Sequence, residues 1–215
     1  MGLFMFEQNG RRGIGLAEGK VYRGLMADHS DYPGDLGRLL AEGVDLRSVK
    51  SSLARAPEID PSFFFLPPVM MPGKIVCMGM NYKAHSAEFN RASPEYPEIF
   101  LRVPTTLVGH LQAIIKPAVS NQLDYEGEMA VIIGRAGRNI SRERALEHVA
   151  AYSIFNDASV RDFQMRGRQW TPGKNFDATG PFGPWLDCAD SLPPGGRGLR
   201  LVTRLNGRIM QETST

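Results

Sequence analysis

Two glutamates stand two positions apart in Asp124-Tyr-Glu126-Gly-Glu128. If that stretch is extended, side chains at i and i+2 point to one face, so both carboxylates face the same way. Like charges held side by side need a cation, and the apolar run Ala130 to Ile133 that follows makes an uncompensated acidic pair costly. The same spacing also describes an exposed strand end carrying ordinary acidic residues. A third carboxylate, Asp157, closes the next apolar strand, where strand order would bring it near the pair. Three carboxylates without His or Cys select a hard divalent cation, Mg²⁺ first and Mn²⁺ or Ca²⁺ next, over zinc.

A second constellation is His85-Ser-Ala-Glu88, an i, i+3 pair that shares one helix face and couples an imidazole to an orienting carboxylate. That arrangement suits a general base taking a proton from water, and it equally describes an exposed helical histidine beside a glutamate. The third is Lys174, alone among small residues in Trp170-Thr-Pro-Gly-Lys174-Asn-Phe-Asp177, shortly after Arg161-Asp-Phe-Gln164. A lysine brought near a dication makes sense when an anionic substrate or developing enolate lies between them. Left in solvent, it is an ordinary loop lysine. Arg161, Arg166 and Arg168 also read as a phosphate-binding strip, without the interleaved aromatics of nucleic-acid surfaces. His29, His110 and His148 have no ligand-spaced partner and read as structural.

Something must position these groups. The chain has 215 residues, 25 Lys plus Arg against 23 Asp plus Glu, and a formal charge of +2, which gives no electrostatic case for a polyanionic partner and disfavours nucleic acid. Hydrophobic residues at 42% and charged residues at 22% exclude a disordered or fibrous chain, while 23 Gly and 15 Pro imply many turns. No apolar run approaches the roughly 20 residues of a membrane span. The N-terminus lacks a secretory pattern, and Cys77 and Cys188 lie outside any paired spacing, so a reduced cytoplasmic protein is expected.

Asn9-Gly10 between two short β-type runs predicts a hairpin, and Leu36, Leu39, Leu40 and Val44 predict a short amphipathic helix ending near Gly43. Pro57 to Pro72 reads as a connector, placing a boundary between a small N-terminal domain, 1–71, and a larger one, 72–215. Lys74–Met78, Leu123–Gly134, Ala151–Phe155 and Leu199–Leu205 read as strands, with Met129 to Ile133 apolar enough to be buried on both faces. A helix is expected over Tyr82–Phe89 and another from Ser141 to Val149, the latter capped by Ser141. The composition and pattern describe a β-rich α+β chain.

Taken together, Gly79-Met-Asn-Tyr-Lys-Ala-His85-Ser-Ala-Glu88, Asp124-Tyr-Glu126-Gly-Glu128, Asn156-Asp157-Ala-Ser-Val-Arg161-Asp-Phe-Gln164 and Trp170-Thr-Pro-Gly-Lys174-Asn-Phe-Asp177 resemble the fumarylacetoacetate hydrolase superfamily. The likeness runs from about Lys74 to the last residue. It implies a mixed β-sandwich roll with a small N-terminal α/β domain. It also implies that Glu126, Glu128 and Asp157 bind Mg²⁺ or Mn²⁺, and that the metal chelates a small 2-oxo acid. His85, oriented by Glu88, would activate water, while Lys174 and Gln164 stabilise the oxyanion or metal-bound enolate that forms as a carbon–carbon bond breaks. The implied activity is hydrolysis of a 2,4-dioxo acid such as an acylpyruvate or fumarylpyruvate, of the kind met in aromatic catabolism. Close alternatives are an isomerase or decarboxylase of related 2-oxo or 2-hydroxy dienoic acids, and a non-catalytic metal-binding chain. A homodimer is also implied. Two departures stand out. Arg102 occupies a Phe100-Leu-Arg-Val-Pro104 context where many members carry lysine, and the chain stops at Thr215, where similar proteins continue into further strands and a glycine loop. The latter leads us to expect an incomplete catalytic domain with exposed sheet edges.

Overall fold

A computed structural model of the chain describes residues 1–81 and 95–215. The first hairpin forms where the sequence predicts it, joining β1 (Gly2–Gln8) to β2 (Arg11–Glu18). Asn9 and Gly10 both take positive φ, 52° and 73°, the type I′ geometry whose twist matches that of paired strands. Two further strands, β3 (Val21–Met26) and β4 (Phe64–Leu66), complete a sheet in the order β3-β2-β1-β4.

Both faces of β1 are buried. Leu3 and Met5 point with Ile14 and Leu16 toward two helices, α1 (Leu36–Ala41) and α2 (Leu46–Leu53). Phe4 and Phe6 point the other way, into an aromatic cluster with Tyr22, Phe63 and Phe65, where the Phe4 and Phe63 rings stack 5.4 Å apart. The expected helix ends at Gly43 as read, and a second one follows that was not expected from the sequence. Gly43, at φ 72°, ends α1 as the N–H groups of Val44 and Gly43 donate to the carbonyls of Leu39 and Leu40, a Schellman closure. Asp45 then opens α2 by accepting from the Arg47 N–H at 2.9 Å.

The remainder is a set of small sheets. A hairpin pairs β5 (Ile75–Gly79) with β6 (Glu98–Arg102), and β7 (Leu107–Val108) follows. The expected strand Leu123–Gly134 is broken into β8 (Leu123–Asp124) and β9 (Gly127–Ile133). Opposite them run β10 (Val149–Asn156) and β11 (Ser159–Val160). The expected helix from Ser141 is a run of 3₁₀ turns, Arg142–His148. One-turn helices α3 (Arg161–Gln164) and α4 (Thr171–Lys174) precede β12 (Gly180–Pro181), β13 (Asp187–Cys188) and a final hairpin of β14 (Arg200–Leu205) and β15 (Arg208–Ser214) turned at Asn206-Gly207. The chain is β-rich with few helices, and none of the described sheets closes into a barrel.

Residues on both sides of position 71 share one core: Ala151, Phe155, Phe182, Leu186 and Cys188 pack with Leu3, Met5, Leu36 and Leu53. Burial of β9 on both faces is not what the structure shows. Ala130 and Ile132 face that core, but Val131 and Ile133 on the opposite face are 45% and 61% exposed, as is Ile154 of β10 at 56%, because that face of the sheet is turned to solvent there. Among the described residues no helix is long and apolar enough to cross a membrane.

Candidate active site

The break between β8 and β9 builds the site. Asp124 pairs with Ser159 of β11 and Gly127 with Asn156 of β10, one antiparallel register that is interrupted on both strands at the same point. Residues 125–126 on one chain and 157–158 on the other form facing corners. These lock together: the Asp157 N–H donates to the Glu126 carbonyl at 2.8 Å, and the Glu126 N–H to Asn156 Oδ1 at 3.0 Å. Glu126 and Asp157 are thereby held side by side although 31 positions separate them in sequence.

Lys174 joins them from α4. Gly173 lets α4 approach α3, since a Cβ there would lie 2.4 Å from the Gln164 backbone nitrogen. Lys174 is consequently only 2% exposed, with Nζ donating to Glu126 Oε2 at 2.6 Å and Asp157 Oδ2 at 2.7 Å. The Phe100 ring lies 5.0 Å from Nζ, and Trp170 packs edge-on against that ring.

Two arginines take the other oxygens. Arg102, on β6 and 3% exposed, donates from Nη1 to Asp157 Oδ1 and to the Ala158 carbonyl at 3.1 Å, and from Nη2 to Thr179 Oγ1 at 2.9 Å. Arg161 opens α3 and donates from Nη1 to Glu126 Oε1 and to Gln164 Oε1 at 2.9 Å, and from Nε and Nη2 to Asp124 Oδ2 at 3.0 and 2.8 Å. Burial pulls the Arg161 guanidinium down, but the charges of Glu126 and Asp124 and the bonds to them outweigh it and hold it above its ordinary value. Arg161 holds Gln164 Oε1 and so orients the amide and its N–H donors. On β5, burial first and Asp157 second push the Cys77 thiol up to about 12.

The sequence-predicted residues are distributed as follows. Glu126, Asp157, Lys174 and Gln164 form one network. Glu128 sits on β9 across from Phe155. His85 and Glu88 lie outside the described residues. Among the described residues no three His, Cys, Asp or Glu side chains gather as a metal site. The donors nevertheless suit a hard dication in kind. Glu126 Oε2 and Asp157 Oδ2 are carboxylate oxygens that already converge on a single cationic centre, the Lys174 ammonium. Sequence reasoning missed that Arg161 and Arg102 brace this pair. Arg161 does not line up with its neighbours as a phosphate strip: Arg166 turns outward over the Phe163 ring at 3.4 Å. The signal available for Arg102 was a lone charge in the alternating run Phe100-Leu-Arg102, on the face shared with buried Phe100. Of the histidines read as structural, His148 has Nδ1 2.8 Å from the Arg135 carbonyl, and His110 lies edge-on to the Phe65 ring.

The model of the fumarylacetoacetate (FAA) hydrolase C-terminal family matches residues 74–215. The chain belongs to this family. Among curated relatives of this family member is the mitochondrial oxaloacetate tautomerase FAHD2A of Bos taurus, 42% identical over 196 residues that cover 89% of this chain and 62% of the tautomerase. The chain thus spans somewhat less than two thirds of that relative. Among solved structures, a fumarylacetoacetate hydrolase from the psychrophile Exiguobacterium antarcticum is 35% identical, with a TM-score of 0.83 over 100% of this chain and 75% of that one. Maleylpyruvate hydrolase from Sphingobium sp. SYK-6, solved with manganese(II) and pyruvate, is 26% identical, with a TM-score of 0.76 over 100% of this chain and 76% of that one. Family members similar to this chain thus include hydrolases and a tautomerase, and one of them holds a divalent metal.

Proposed function

We propose that the chain forms and protonates the enol of a small 2-oxo acid, with keto–enol tautomerisation of an oxaloacetate-like acid as its reaction. The observation that supports this reading is the buried Lys174 ammonium shared by Glu126 and Asp157 and linked through Glu126 and Arg161 to the Gln164 amide. In tautomerisation the enol O–H proton is lost and the neighbouring carbon gains one, so negative charge rests on an oxygen in between. The N–H groups of Lys174 and Gln164, both in a water-poor setting, are the donors that would serve that oxygen. A dication held by Glu126, Glu128 and Asp157 would, when bound, polarise the carbonyl of the 2-oxo acid. Arg102 and Arg161 carry no reacting proton; they hold the two carboxylates in place.

A second reading is hydrolysis of a carbon–carbon bond in a 2,4-dioxo acid, favoured by the likeness to maleylpyruvate hydrolase and by the His85/Glu88 motif. It needs the same donors and, in addition, water activated by His85. Two assays on the 215-residue chain, each with Mg²⁺ or Mn²⁺ and then with EDTA, test both: decay of the enol absorbance of oxaloacetate, and pyruvate release from acylpyruvates. Metal-dependent enol decay is expected, with Lys174→Met lowering kcat by about 10²–10³-fold, the usual cost of one oxyanion donor. Pyruvate release lost in His85→Ala would select hydrolysis. Rates no faster than buffer in both assays would overturn both readings.

A further inference from the structure

Every oxygen of Glu126 and Asp157 carries one cationic partner: Arg161 and Lys174 on Glu126, Arg102 and Lys174 on Asp157. The three cations are not alike. Arg102 is pinned by the Ala158 carbonyl and Thr179 and lies over the Phe155 ring, and Arg161 by Asp124 and Gln164. Among the described residues the hydrogen bonds of Lys174 run to these two carboxylates, and its ammonium rides on a flexible four-carbon stem. Lys174 is the cation able to move.

Charge decides when it must. Among the described residues, the ion pairs given above set Asp124, Glu126 and Asp157 against Arg102, Arg161 and Lys174, three against three. A dication added on top of that balance would leave excess positive charge in a partly buried cluster, and buried unpaired charge is strongly disfavoured. The positions best placed to receive the ion, Glu126 Oε2 and Asp157 Oδ2, are also the ones that the ammonium occupies.

We propose that Lys174 is the resident cation of the divalent-metal site, and that a metal ion enters by displacing its ammonium from Glu126 Oε2 and Asp157 Oδ2. This rests on the metal-dependent reading above and deepens it. Metal uptake frees the lysine, so the donor needed for the enolate becomes available only when the metal that binds the 2-oxo acid is in place. Binding and displacement are reciprocal: what the lysine gains from the two carboxylates is lost from the affinity for metal. Arg102 and Arg161 keep the carboxylates apart and oriented while the cation is exchanged.

The test is Mn²⁺ binding to the full chain, read as loss of the free-ion electron paramagnetic resonance signal, for wild type and Lys174→Met. The variant is expected to bind Mn²⁺ about tenfold or more tightly, within the usual range of a coupling between sites. Equal or weaker binding by a folded variant overturns the displacement while leaving the metal reading intact. Absence of Mn²⁺ uptake by both proteins overturns the metal reading and the displacement with it. Should Lys174→Met fail to fold without metal, the wild type decides. A Mg²⁺ titration followed by ¹⁵N resonances of lysine Nζ should shift the solvent-protected Lys174 signal, and an unmoved signal in protein saturated with Mg²⁺ overturns the proposal.

Discussion

Cys77 shows how far the site's environment reaches beyond the residues that do chemistry. Burial and the nearby Asp157 charge push its thiol up to about 12, so near neutral pH the thiolate is a very minor form. Iodoacetamide should therefore label Cys77 far more slowly than a peptide thiol, checked by mass spectrometry; labelling at the peptide rate would refute the burial argument. The sign of the linked stability follows. The folded chain keeps a proton that the unfolded chain releases above about pH 9, so this contribution is whole below pH 9 and is lost as pH rises toward 12. Cys77→Ala should flatten that alkaline decline. At this scale the sequence was informative about residue types and silent about pairing. The i, i+2 glutamates and the lone Lys174 stand out by their setting, whereas Arg102 meets Asp157, Thr179 and Ala158 across 55 to 77 positions, which no local spacing reveals.

At the scale of elements, what is local was legible. Asn9-Gly10 and Asn206-Gly207 are hairpin turns because both residues of each pair accept positive φ, a property of the dipeptide itself. What depends on partners was not. Leu123–Gly134 is continuous in hydrophobicity and keeps one antiparallel register with its partner segment, yet its ladder is interrupted at Glu126, whose N–H is taken by the Asn156 side chain. The helix read up to Gly43 ends there, and α2 follows because Asp45 supplies a new cap. The α3–α4 approach allows an element-level prediction. Gly173→Ala places a methyl group against the Gln164 backbone, and the helices must part. Although alanine favours helix, overpacking of this kind costs about 1–3 kcal/mol, so the melting temperature should fall by roughly 5 °C. Catalytic rate should fall with it as Lys174 and Gln164 separate. A thermal scan beside the enol assay checks this, and an unchanged Tm would show that the helices have room to give.

At the scale of the molecule, the outer face of the β5–β6 hairpin is apolar and in solvent. Val76 pairs with Leu101 and Met78 with Ile99, each about half exposed or more, so the four form one continuous patch. Patches of this kind mark surfaces that associate. We expect light scattering to give twice the 23.8 kDa chain mass, and Ile99→Lys to return it toward one; a monomeric wild type would refute the pairing.

The bracing of Asp157 also carries a consequence for how the chain acquires its fold. Arg102 gives up water for nearby Thr106 and for Asp157, Ala158 and Thr179, which lie 55 to 77 positions away along the polypeptide. A guanidinium is shielded at tolerable cost only once all its acceptors have arrived, and closing such long loops is slow compared with forming hairpins. We therefore expect the active centre to assemble late, after the two Asn-Gly turns have nucleated their strands. Appearance of a protected Arg102 side chain would report completed folding more faithfully than the recovery of β-structure.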